Sequence, residues 1–154
     1  LNFFNFKPFT ILADFAHNPH GLQLLCDFVE KLDYPSKVGV ISGTGDRRDE
    51  DIRELGAISA RHFDEIIIRC DKNLRGRTAD KIIGLLKEGM DSLNPDIPTT
   101  IIPNEDLPLD HIYENSQEGA LYTIMCDVVA RALDKIKELK QREEMEIKST
   151  RQTV

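Results

Sequence analysis

TILADFAHNPHGLQLLCDFVEKL, residues 10–32, contains a change of period that decides the fold. Thr10 to Ala13 form a continuous apolar, β-branched run, as a strand covered on both faces should. From Leu22 onward the apolar residues fall at Leu22, Leu25, Phe28, Val29 and Leu32, which is the stripe of an amphipathic helix. Between them stand Asn18, a preferred N-cap, and Pro19, suited to the first helical position.

The same grammar recurs downstream. Apolar runs at Val38 to Ser42, Glu65 to Cys70 and Thr99 to Ile102 predict three more strands. A helix starting near Asp49 to Asp51, where acids favour the positive helix end, should bury Ile52, Leu55, Ile58 and Phe63. Another, capped by Thr78, should bury Ile82, Ile83 and Leu86. Strand then helix with short loops predicts a parallel sheet with right-handed crossovers. The expected fold is α/β, Rossmann-like and three-layered, with a mostly parallel sheet of about five to six strands.

Beyond Ile102, Pro103, Pro108 and the Asn115-Ser116 turn leave room for a short helix near Leu109 to Tyr113. Leu121 to Met125 reads as a fifth strand, although periodicity equally accepts one long helix from Gln117. A last helix over roughly Val128 to Lys140 carries Val129, Leu133, Ile136 and Leu139 on one face. The domain is expected to span 1–140, with residues 141–154 a charged, frayed tail.

The 154 residues, 40% hydrophobic, suit one domain. A formal charge of -7 disfavours nucleic acid or an anionic membrane as partner and suits a small, even cationic, substrate. Cys26, Cys70 and Cys126 lie far apart in apolar runs, so they read as reduced core thiols rather than a disulfide or metal set. No export signal or membrane span is indicated, and a cytoplasmic location is expected. The opening on Leu1 within an aromatic segment, rather than on Met, reads as an excerpt of a longer chain.

In an open parallel sheet, ligands sit beyond the carboxyl ends of the strands. The loop Asp14-Phe15-Ala16-His17-Asn18-Pro19 offers a carboxylate for ribose hydroxyls, and an imidazole and an amide for an adenine edge. Asn18 and Pro19 also serve as a simple helix start. The loop Gly43-Thr44-Gly45-Asp46-Arg47-Arg48-Asp49 lacks the third glycine of a dinucleotide fingerprint and the Gly-Lys-Ser/Thr of a phosphate loop. Its charges suit a site or a solvated helix start. In the third loop, Asp71, Asn73 and Arg75 suit the two ends of a zwitterionic amino acid, since an arginine fork takes a carboxylate and an aspartate meets a cation.

The first loop resembles the D-Y-A-H-N-P element that opens the C-terminal domain of the Mur ligase superfamily, matching five of its six positions with Phe15 in place of tyrosine. The string G-D-R-R-D-E-D (residues 45–51) and the R-G-R of residues 75–77 are similar to cyanophycin synthetases in particular. The resemblance implies ATP as cofactor, with Asp14, His17 and Asn18 against its ribose and adenine, and Arg47 helping to hold the incoming amino acid or the acyl-accepting end of the site. It further implies amide bond formation through an acyl phosphate, with arginine as the amine and a peptide or polymer as acceptor. The phosphate loop and the Mg ligands would belong to a central ATPase domain absent from this chain. No catalytic residue and no metal ligand is therefore assigned here, and the domain alone is expected to be inactive. A muramoyl-peptide or folylpolyglutamate ligase keeps the chemistry and changes the substrate; a non-catalytic nucleotide-binding module is the other alternative.

Overall fold

The computed structural model describes residues 1–43, 46–72, 74–126 and 129–153. In chain order the elements are β1 (Asn2–Asn5), β2 (Thr10–Asp14), α1 (Pro19–Glu30), β3 (Lys37–Ile41), α2 (Asp49–His62) and β4 (Glu65–Arg69). There follow α3 (Ala79–Asp91), β5 (Thr99–Ile102), α4 (Leu107–Asn115), β6 (Leu121–Met125) and α5 (Val129–Gln152). The strands form one six-stranded sheet in the order β1-β2-β6-β3-β4-β5, parallel except at β1.

Helix starts follow local chemistry. The Asn18 side chain accepts from the Gly21 amide with Pro19 in the first turn, and the Thr78 hydroxyl accepts from the Lys81 amide. Asp49, Glu50 and Asp51 occupy the first turn of α2, where carboxylates meet the positive end of the helix dipole.

The apolar strand runs feed two cores because successive side chains leave a strand on opposite faces. Leu12, Ile41, Ile66, Ile68, Leu121 and Met125 pack under α1, α2 and α3, which contribute Leu22, Ile52 and Ile82. Ile11, Val38, Val40, Ile67, Tyr122 and Ile124 pack under α4 and α5, which contribute Leu109, Ile112, Ile136 and Leu139. Helices α2 and α3 meet backbone to backbone. A Cβ on Gly56 would collide with the Leu86 carbonyl oxygen, and one on Gly89 with the Arg53 carbonyl oxygen.

Three elements depart from or resolve the sequence reading. The Asn2-Phe3-Phe4-Asn5 opening is an antiparallel edge strand, pairing Asn2 with Ala13 and Asn5 with Thr10. Its alternation sends Phe3 toward Phe28 of α1 and Phe4 to the opposite core. Leu121–Met125 is a strand rather than part of one long helix, wholly buried between β2 and β3. The charged stretch expected to fray is helical to Gln152; the expected start at Val128 lies outside the described residues. Tertiary contacts support this extension: the Tyr113 hydroxyl donates to Glu146 at 2.8 Å, and the Lys7 amide donates to Glu143 at 3.0 Å. Among the described residues, no helix is long and apolar enough to cross a membrane.

All three cysteines are buried thiols. Burial, with Asp27 and Glu30 adding, pushes the Cys26 thiol up to about 12. Its raised pKa stabilises the fold below the unfolded value of 9.0, and this contribution is lost as pH rises from there toward 12. A thiol-disulfide exchange reagent at pH 8 should label none of the three cysteines in the native chain within minutes, and all three in denaturant. Rapid native labelling of Cys26 would contradict the burial.

Candidate functional site

The position of β6 creates the site. Strands β2 and β3 hand the chain to α1 and α2 on one face of the sheet, whereas β6, lying between them, hands it to α5 on the other. Loops that part in this way open a crevice at the carboxyl edge. Ala16, His17, Ser42, Arg69, Asp71 and Cys126 line it. The crevice is small, about 10 Å³, room for one water molecule at most.

Asp14 ends β2, and His17 and Asn18 follow it in the loop to α1. Asp14 Oδ1 accepts from the Ala16 amide at 2.9 Å, which turns the chain sharply after the strand. His17 Nδ1 lies 2.9 Å from the Phe15 carbonyl oxygen; donation there assigns the acceptor role to Nε2 of the neutral ring. Phe15 is 54% exposed beside them, an aromatic face open to solvent. Asn18 Oδ1 is engaged by the Gly21 amide at 2.8 Å, so this residue acts as the helix cap whatever else it meets.

In the second loop, Thr44 and Gly45 lie outside the described residues. Arg47 is half-buried, and its Nε is shielded with no hydrogen-bond partner among the described residues. Arg48 is exposed and turns back onto its own helix start, with Nε 3.0 Å from Asp51 Oδ2. That hydrogen bond and the charge of Arg48 hold the Asp51 carboxyl below its usual value.

In the third loop, Asn73 lies outside the described residues. Asp71, 9% exposed, reaches the crevice but is gripped from inside: Arg69 Nη1 donates to its Oδ1 at 2.8 Å. The same guanidinium, 6% exposed, donates through Nη2 to the Met125 carbonyl at 2.6 Å, tying β4 to β6 across β3. Arg75 and Gly76 both have positive φ, 50° and 87°, in the left-handed region where a non-glycine residue is strained. Arg75 Nη1 stands 3.4 Å from Asp46 of the second loop. Arg77 reaches the same loop, donating to Asp49 Oδ1 at 2.5 Å and to the Arg47 carbonyl at 2.7 Å.

Asp14, His17 and Asn18 thus share one loop but make separate contacts, with His17 in the crevice and Asn18 facing Glu54 and Ile58 of α2 instead; Asp71 shares the crevice with His17, and Arg47 and Arg75 belong to two loops fastened together. Sequence reasoning missed Arg69, Ser42 and Arg77. A charge ending the isoleucine run Ile66-Ile67-Ile68 was the available signal for Arg69, and the R-G-R of residues 75–77 was the one for Arg77, to which no role was given; Ser42 had none. No cluster of three or more histidine, cysteine, aspartate or glutamate side chains suited to a metal occurs among the described residues.

Comparison with known proteins bears on the family and the fold. The family model for "Mur ligase, glutamate ligase domain" matches residues 1–142. A cyanophycin synthetase of Synechocystis sp. is 35% identical over 137 residues, covering 89% of this chain and 16% of the relative, so the chain spans a small part of the protein it matches. Among solved structures, a UDP-N-acetylmuramoyl-L-alanyl-D-glutamate-2,6-diaminopimelate ligase superposes with a TM-score of 0.75 at 15% identity, over 93% of this chain and 31% of that one. E. coli FolC in complex with ADP gives a TM-score of 0.59 at 17% identity, over 94% of this chain and 30% of that one.

Proposed function

The chain belongs to the Mur ligase glutamate ligase domain family, and from that premise we propose that it serves an ATP-dependent amide ligase of the cyanophycin synthetase type. In this reading it positions arginine for attack on an activated carboxylate of a peptide or polymer acceptor. The observation that carries the reading is the convergence of three charged loops, after β2, β3 and β4, on the carboxyl edge where β6 splits the sheet.

The Asp14 carboxylate, the His17 imidazole with its Nε2 acceptor, the Asn18 amide and the exposed Phe15 ring fit the ribose and base of ATP. ATP supplies the phosphoryl group that activates the acceptor carboxylate; the chain's own residues bind and orient. Arg47 and Arg75 would hold the carboxylate of the incoming amino acid by their planar forks, with Asp71 and Asn73 toward its cationic end. In this reading the Mg ligands and the phosphate loop belong to a central ATPase domain of a longer, cytoplasmic protein, for which the matched relatives' greater length leaves room. Holding the amine against the acyl phosphate is an entropic contribution with a ceiling of order 7 to 11 kcal/mol. The 154 residues alone should therefore turn over no ATP.

The test is ATP-dependent incorporation of single labelled amino acids into a β-Asp-Arg primer by the full-length protein, with Arg75→Ala beside it. The expected result is arginine incorporation whose KM rises at least tenfold in the variant. Incorporation of a different amino acid, or only onto muramoyl or folyl acceptors, would move the assignment to another Mur-type ligase. Turnover by the 154-residue chain alone would overturn the positional role.

A further inference from the structure

We infer that Arg77 is a positioning residue: it locks the loops after β3 and β4 into one unit and thereby sets the pose of Arg47 toward the amino acid. The inference rests on the substrate role proposed above for Arg47.

One guanidinium makes both fastenings, Nη1 to Asp49 Oδ1 at 2.5 Å and Nη2 to the Arg47 carbonyl at 2.7 Å. Its own backbone is fixed by donation from the Arg77 amide to the Leu74 carbonyl at 3.0 Å, closing the turn that holds the left-handed pair Arg75 and Gly76. Both acceptors lie on the C-terminal side of Arg47: one is its carbonyl, the other the carboxylate two residues on, at the first position of α2. The peptide plane after Arg47 is therefore tied to the third loop, which narrows the orientations open to the Arg47 side chain. The Arg75 contact to Asp46 joins the same loops but is more open, with side chains 59% and 48% exposed against 24% for Arg77. Screening makes it the weaker tie. The hydrogen bond from Arg77 also holds the Asp49 carboxyl below its usual value.

A purely structural role is not needed here. The Asp51 and Ile52 amides of α2 already donate to the Arg48 carbonyl, and α2 is seated on α3 by the glycine contacts at Gly56 and Gly89. What Arg77 adds is the orientation of the segment that carries Arg47. Lysine cannot reproduce it, because one ammonium cannot reach two acceptors along parallel bonds.

The experiment uses the full-length protein in the primer assay with Arg77→Gln, Arg77→Lys, Arg47→Ala and the Arg47→Ala/Arg77→Gln double variant, each with its thermal midpoint. Arg77→Gln should raise KM for the added amino acid about tenfold, leaving KM for ATP and the midpoint near wild type. Arg77→Lys should not restore it, and Arg77→Gln should add nothing to Arg47→Ala, since both act through one side chain. Full function in Arg77→Lys, additive effects in the double variant, or a joint rise of both KM values with a lowered midpoint would each overturn the inference. Arg47→Ala with an unchanged amino-acid KM would instead sink the substrate role of Arg47. Should Arg77→Gln not fold, Arg77→Lys and Asp49→Asn carry the same comparison.

Discussion

Gly89→Ala should lower stability by about 3 kcal/mol, whereas Gly84→Ala, five residues earlier on the same helix, should leave it unchanged or raise it slightly. Both glycines lie within α3, and alanine is intrinsically better than glycine in a helix by about 1 kcal/mol. That gain is all Gly84 has to consider, because a Cβ there meets nothing within 4 Å. At Gly89 the new methyl would run into the Arg53 carbonyl oxygen and the backbone of α2, which no rotamer change can move. The helices must separate instead, and the loss of contact spreads through Ile52, Leu55, Leu85 and Leu86, which are buried in the same core. Gly56 is the reciprocal position on α2, facing the Leu86 carbonyl. For a chain of this length, 3 kcal/mol corresponds to a fall in thermal midpoint of roughly 6 to 12 °C. Equal midpoints for the Gly84 and Gly89 variants would show that α2 and α3 are not in backbone contact.

Asp71→Ala should destabilise the chain by about 3–5 kcal/mol, a cost set by the guanidinium it leaves behind. Arg69 is buried in β4, and its two Nη groups are committed to Asp71 and to the Met125 carbonyl while Nε has no partner among the described residues. Without the carboxylate an uncompensated cation remains between β4 and β6. Arg69→Met should cost a similar amount by removing the cation from Asp71. The double variant should be markedly less destabilised than the sum, because neither charge is then left buried against the other's absence. Urea unfolding of the four proteins measures this coupling, and strict additivity would mean that the ion pair does not govern either loss. The pair also bears on assays of the site. A weakened Asp71 variant confounds lost substrate contact with lost structure, whereas Arg75, exposed and in a surface turn, separates the two.

A buried ion pair is a poor device for stability, since well-packed apolar residues do as well or better. Its place here, under the crevice and joining β4 to β6, fits a requirement for geometry at the carboxyl edge. Strain points the same way: the positive φ of Arg75 falls in the third loop, within the segment that Arg77 closes.

Much of the fold was legible because its signals are local. Asn18 and Pro19, Thr78, and the acids at Asp49 to Asp51 mark helix starts through bonds and fields that act within one turn. The isoleucine run of β4 announces a strand buried on both faces whatever its neighbours are. The position of the candidate loops was legible for the same reason, since each follows such a run. Other features turn on distant partners. Asn2-Phe3-Phe4-Asn5 is a strand only because β2 pairs with it, and residues 141–152 continue α5 in company with Tyr113 and Lys7.

By itself, then, the sequence determined the periods, the caps, the α/β class and which loops carry charge, because those depend on near neighbours along the chain. Tertiary structure alone decided that β6 inserts between β2 and β3, that Arg69 anchors Asp71, and that Arg77 ties Arg47's loop to its own. In each of these cases the energy lies in groups far apart along the chain, and no local pattern records which of them will meet.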